Sequence, residues 1–293
     1  MKKKNYPKKI KNFFKDLITR IIKDDFTGAA CEMAFICVLA FFPFLIFLVS
    51  IFGLLGTETR IDKILIFLSE IGPTTAVSTV DHVLTSVAQT ASKSLATIGL
   101  ITSLFLASNA SAVAIKGLNK AYRTKETRPF WYVRLLAMLI VILDAWILFF
   151  GVNLTIFAKL IFNLMPELWV IESAVAQAFK TLFTLRWLVA FAALFLMVFL
   201  NYYLMPNTEK ISKRIKIIYT LPGAIFFCTF WLLASWGFAQ YVENFGSYDK
   251  VYGILGGFAV LLIWLYYSSL ILLIGGELNY QVYQKFLQKY NKY

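Results

Sequence analysis

Histidine occurs once in this chain, at His82, and cysteine only three times, at Cys31, Cys37 and Cys228. A metal site needs several His, Cys or acidic ligands grouped in space, and a disulfide framework needs paired cysteines. Neither is expected here, and no cofactor is implied. The three thiols fall inside apolar runs, where cysteine acts as a small packing residue, and His82 reads as an ordinary exposed residue in a polar stretch. Charge is scarce too. Only 15% of the residues are charged and 59% are hydrophobic, against about 25% and 45–50% in soluble domains, which excludes an ordinary soluble fold. No phosphate-binding loop of the P-loop type occurs, so any pumping would draw on a gradient or a separate ATPase. A cleavable signal is not expected either, because the first apolar run begins near Thr27 and is too long for a signal core.

What the chain has instead is one long apolar run after another. Val251 to Gly276 carries no charge between Lys250 and Glu277, and roughly 20 apolar helical residues cross a bilayer core. Similar runs place spans at about 28–55, 95–115, 135–157, 182–205, 217–240 and 251–276. The expected fold is an all-α integral membrane protein with six transmembrane helices in one domain over residues 27–280. Pro43 should kink or break the first span. Residues 56–93 hold two helical stretches too short and polar to span, read as an extracytoplasmic helical hairpin.

Ahead of the first span, residues 1–26 form a basic segment. Ile10, Phe13, Phe14, Leu17, Ile18, Ile21 and Ile22 recur at three- and four-residue spacing among Lys8, Lys9, Lys11, Lys15, Arg20 and Lys23. This pattern predicts an amphipathic helix lying in the headgroup layer, attracted to anionic lipid, or alternatively a cap packed under the bundle. Residues 281–293 form a basic tail. With the N-terminus inside, twenty-two of the 29 Lys and Arg residues fall on the inner side, and that bias places both termini in the cytoplasm. It also accounts for the net charge of +13 without nucleic acid as a partner.

The second span has a row of small residues, Gly99, Ser103, Ala107 and Ser111, with Ala110 and Ala114 beside it. Such rows mark close helix contacts, which puts this helix in the bundle interior. Gly253 and Gly257 predict a second close approach. Polar residues inside the spans are the candidate site. Asp144 is expected near the midplane, as a proton, cation or amine site or as a hydrogen-bonded acid joining two helices. Asn109, Asn201, Glu32 and Glu277 are expected in the cytoplasmic third, where four polar groups on four helices suggest a wet vestibule. Alternatively, Glu32 and Glu277 reach the headgroups and pair with Lys116 or Arg134, and Asn109 bonds between helices. Asn119 and Asn279 are expected to cap helix ends.

Four runs carry a resemblance. They are the Ala34–Pro43 stretch with its Phe-Phe-Pro, Gly117-Leu118-Asn119-Lys120-Ala121-Tyr122, Leu221-Pro222-Gly223-Ala224, and Tyr252-Gly253 through Gly275-Gly276-Glu277-Leu278-Asn279. In this order they resemble the YihY/BrkB family of bacterial inner-membrane proteins over nearly the whole chain. The resemblance implies six transmembrane helices and location in the bacterial plasma membrane. It also brings links to serum resistance and envelope lipid export, and an old ribonuclease label. With one histidine and no ligand cluster, the chain lacks what a zinc phosphodiesterase needs, so no enzyme is expected. The expected function is a transporter or exporter of an envelope lipid or small solute. The alternative is a non-transporting factor that organises partner proteins or lipids in the envelope.

Overall fold

The computed structural model describes residues 6–54, 93–164, 174–208, 211–244 and 254–290. The regular structure among them is helical throughout: α1 (Tyr6–Lys23), α2 (Phe26–Leu54), α3 (Lys93–Ala121), α4 (Phe130–Leu164), α5 (Ala174–Leu204), α6 (Lys213–Asn244) and α7 (Ile254–Tyr290). The hairpin expected over 56–93, apart from Lys93, lies outside the described residues, as do His82 and Gly253.

Each of the six expected spans corresponds to one helix from α2 to α7. Among the described residues, five helical segments are long and apolar enough to cross a bilayer: Phe26–Phe47, Lys93–Ala121, Phe130–Gly151, Arg214–Tyr241 and Gly256–Leu287. Among the residues of α5 whose side chains are described, the apolar stretch is Leu188–Leu204. The chain is a membrane protein with its apolar side chains outward: Ile98, Ile101, Phe105, Trp146 and Trp236 are all more than half exposed. Only a hydrocarbon solvent makes that arrangement cheap, and helices meet that solvent's demand for internally satisfied backbone groups.

A two-residue turn, Asp24–Asp25, joins α1 to α2. Asp25 adopts a left-handed backbone (φ 51°), and its Oδ1 accepts the Gly28 N–H at 3.1 Å, capping the first turn of α2. Leu17 of α1 is buried, while Ile18 and Ile22 are exposed beside exposed Lys15 and Lys23.

The chain divides into two compact units, to which α3, α6 and α7 each contribute residues. The first comprises residues 1–117 and 231–273. Here α2 runs unbroken through Pro43, and α3 lies directly on that turn. A Cβ added to Gly99 would come 2.9 Å from the Pro43 carbonyl oxygen and 2.8 Å from the Phe47 nitrogen. Gly99, Ser103, Ala110 and Ala114 are buried, with Ala107 and Ser111 half-buried, so the small-residue rows do face a neighbouring helix. The Ser103 hydroxyl returns to the Leu100 carbonyl at 3.0 Å, which satisfies it within α3.

Between the unit's portions of α6 and α7, two tryptophans exchange serine partners. Trp231 Nε1 donates to Ser268 Oγ at 2.9 Å, and Trp264 Nε1 donates to Ser235 Oγ at 3.3 Å. A cleft of ≈ 300 Å³ opens beside them, lined also by Gly237, Phe238 and Tyr241.

The close approach expected at Gly257 is not made. Gly257 is exposed and a Cβ there would meet nothing within 4 Å. Four-residue spacing marks a permissive face, but whether a helix occupies that face depends on residues far away in sequence.

These contacts predict opposite outcomes for two glycines. Gly99→Val should lower the thermal midpoint in detergent, at a cost of about 1–3 kcal/mol, because backbone atoms of α2 cannot yield as a side chain would. Gly257→Ala should be neutral or mildly stabilising, since it only removes unfolded-state freedom.

Candidate functional site

Polar side chains collect in the second unit, residues 118–230 and 274–293. Its centre is a crossing of α6 and α7 at two glycines. Pro222 in α6 has no N–H to give its own helix. The next N–H, of Gly223, donates to Asn279 Oδ1 of α7 at 2.6 Å. The Asn279 Nδ2 in turn donates to the Tyr122 hydroxyl at 3.0 Å. One fully buried amide thus ties the end of α3 to α6 and α7. No side chain fits between the helices at this point. A Cβ on Gly223 would run into Asn279 and the Gly275 carbonyl oxygen, and one on Gly275 into the Tyr202 hydroxyl. On Gly276 it would strike Leu118.

Asn279 therefore does not cap a helix end. α7 continues from the expected exit at Gly276 to Tyr290, because the residues beyond keep helical polarity and the buried amide finds its partners across helices. Glu277 stands two residues before Asn279 on α7. It is fully buried, and Arg123 Nη2 lies 3.5 Å from its Oε1. Gln281 Nε2 adds a hydrogen bond to Glu277 Oε1 at 3.1 Å.

Arg123 follows α3 with a left-handed backbone (φ 54°). The Arg123 N–H reaches the Lys120 carbonyl at 3.1 Å and the Thr124 N–H reaches the Asn119 carbonyl at 3.0 Å. This pair of bonds is a Schellman ending, in which glycine is the usual residue at the left-handed position. An arginine there costs about 1–2 kcal/mol of backbone strain. Its guanidinium stacks on the Tyr280 ring of α7, 4.5 Å from the centroid.

Asn119, in the last turn of α3, clamps the loop that follows. Its Nδ2 donates to Glu126 Oε2 at 2.7 Å, and its Oδ1 accepts the Asn207 N–H at 2.7 Å from the segment after α5. Asn207 Nδ2 donates to Thr127 Oγ1 at 2.8 Å. Arg128 closes the loop with Nε on Glu126 Oε1 and Nη2 on Glu126 Oε2, each at 2.7 Å, and Nη2 also meets the Met205 carbonyl at 2.9 Å. Partial burial pushes the Glu126 carboxyl upward. Hydrogen bonds from the Arg128 side chain and backbone, the Arg128 charge and the Asn119 amide outweigh it and hold Glu126 below the usual carboxylate range.

Inside the apolar helices, Asp144 of α4 and Asn201 of α5 meet: Asn201 Nδ2 donates to Asp144 Oδ2 at 3.0 Å. Because α4 starts at Phe130, Asp144 lies about 21 Å along its helix at about 1.5 Å per residue. Asn201 is buried one turn from the end of α5. The other two candidates belong to the first unit, where Glu32 is exposed on α2 and Asn109 is half-buried on α3. The five candidates thus resolve into a bonded pair, an ion-paired acid and two residues of the first unit.

Residue counting passed over Tyr122, Arg123, Glu126, Arg128, Tyr202 and Asn207. Each lies at or beyond a helix end or looks like packing, and only long-range pairing gives it a role. Among the described residues, no three His, Cys, Asp or Glu side chains come together in a way that could hold a metal ion.

Two outcomes follow. Asn279→Ala would orphan the Gly223 N–H and the Tyr122 hydroxyl and should cost about 1–3 kcal/mol in detergent unfolding, with Asn279→Gln giving no rescue. Because Glu126 titrates below its unfolded value, its stabilisation is complete above the ordinary carboxylate range and is lost as pH falls through the folded pKa. The thermal midpoint should therefore fall on acidification below about pH 5, with a shallower fall in Glu126→Gln.

Three of the runs that stood out in the sequence, those around Asn119–Tyr122, Pro222–Gly223 and Gly275–Asn279, build this one knot. The profile of a family described as Virulence factor BrkB matches residues 17–292. The ribonuclease-like protein YfkH of Bacillus subtilis is 29% identical over 269 residues, covering 92% of this chain and 94% of that protein. UPF0761 membrane proteins of Alteromonas mediterranea (25% over 290 residues, 97% and 92% covered) and Aliivibrio salmonicida (28% over 277 residues, 92% and 82% covered) are similar along the same length. No solved structure matches. The chain belongs to the BrkB family of membrane proteins.

Proposed function

We propose that this protein is a six-span transporter or exporter of the bacterial plasma membrane, with both termini cytoplasmic, acting on an envelope lipid or small solute and not as an enzyme. The observation that carries the proposal is the Asp144–Asn201 pair inside two apolar helices. An ionisable group costs several kcal/mol within hydrocarbon, so a chain that needed only a helix contact would meet the need with small or amide residues. A carboxylate beside an amide offers a station for a proton, a cation or a substrate amine. The sixth span is α5, whose apolar stretch Leu188–Leu204 belongs to a 31-residue helix. The basic inner segments contact anionic lipid head groups in this scheme.

One observation favours the second reading, a factor that organises proteins or lipids without transport. Tyr202, Glu277 and Asn279 are fully buried, so the knot is closed packing. Lipid and metabolite profiling of membrane vesicles with and without the protein separates the two. Transport predicts a species whose content changes at least tenfold with the protein and returns to background in Asp144→Asn at equal expression. Identical vesicle contents with and without the protein would leave the organiser.

A further inference from the structure

The second unit holds two arginines in the same loop, and they are held differently. Arg128 is fully engaged: its side chain is 10% exposed and three short hydrogen bonds, two to Glu126 and one to the Met205 carbonyl, fix its fork. Arg123 is not fixed in this way. Its side chain is 39% exposed, and its contact with Glu277 is 3.5 Å, too long for a made charge-assisted hydrogen bond. It rests on the Tyr280 ring, and the Tyr280 hydroxyl is itself held by Gln284 Nε2 at 2.8 Å. Glu277 lies wholly buried behind the guanidinium. Among the described residues no further polar partner meets the guanidinium, so most of its five donors remain on the exposed side. The exposed Lys120 adds positive charge one turn earlier in the chain. Finally, Arg123 occupies the left-handed position where a chain needing only a helix stop would carry glycine.

From this geometry we propose that Arg123, braced by Tyr280 and Glu277, is a binding point for a phosphate oxyanion. The planar fork matches two phosphate oxygens, and the ring beneath keeps it oriented when the anion arrives. The phosphate can belong to a lipid head group or be free in solution. The site stands apart from the transport reading, since binding here requires no passage through the membrane.

Purified protein in detergent provides the test, with two probes. Inorganic phosphate is titrated calorimetrically, and phosphatidylglycerol retained from mixed micelles is counted by native mass spectrometry. Arg123→Gly is the informative variant, because it relaxes the backbone and keeps the helix stop while removing the fork. Arg123→Lys keeps the charge without the fork, and Lys125→Ala serves as a control. The proposal expects Arg123→Gly to weaken phosphate or lipid binding at least tenfold. Arg123→Lys should weaken it several-fold, and Lys125→Ala should change it less than twofold. Loss confined to the calorimetric arm assigns free phosphate, and loss confined to lipid retention assigns the head group. Binding of both probes by Arg123→Gly at wild-type strength, or of neither by the wild type, overturns the site.

Discussion

In the hydrocarbon of a bilayer no water is at hand for a polar group left without a partner, so such groups must be paired across helices. Asn279 answers that demand in the second unit. Its carbonyl takes the Gly223 N–H beside Pro222, and its amine reaches the Tyr122 hydroxyl. The glycines at 223 and 275 are there because the amide can make these bonds only if two helix backbones touch. Tyr202 then fills the remaining space at full burial.

The same constraint explains why polar residues gather at the loop after α3 and the end of α5. Asn119, Glu126, Arg128 and Asn207 close the loop over helix ends whose last carbonyls and first amides have no helical partner. Arg123 stands apart from that set. A strained backbone, a ring contact and a loose ion pair are poor means of building stability and good means of presenting a charge.

Much of the fold could be read in advance because membrane helices declare themselves through long apolar runs, and all six expected runs are helices. The small row of α3 was also legible, since Gly99 and Ser103 could be buried only against another helix. Gly257 shows the limit of the same rule, its face being open. Asp144 was singled out from its cost alone, but its bond to Asn201 joins residues from different helices and needed coordinates. Asn279 read as a helix cap, but α7 runs on to Tyr290 and its amide bonds across helices instead.

The sequence by itself determined the membrane class, the helical segments and the basic bias of their ends, because hydrophobic length and charge are local properties that the bilayer reads directly. Only the tertiary structure decided which glycines are crossings, which acid pairs with which base, and why proline, asparagine and tyrosine from three separate runs belong together. Those are properties of distances between residues up to 157 positions apart in the chain, as for Asn279 and Tyr122, and no local pattern encodes them.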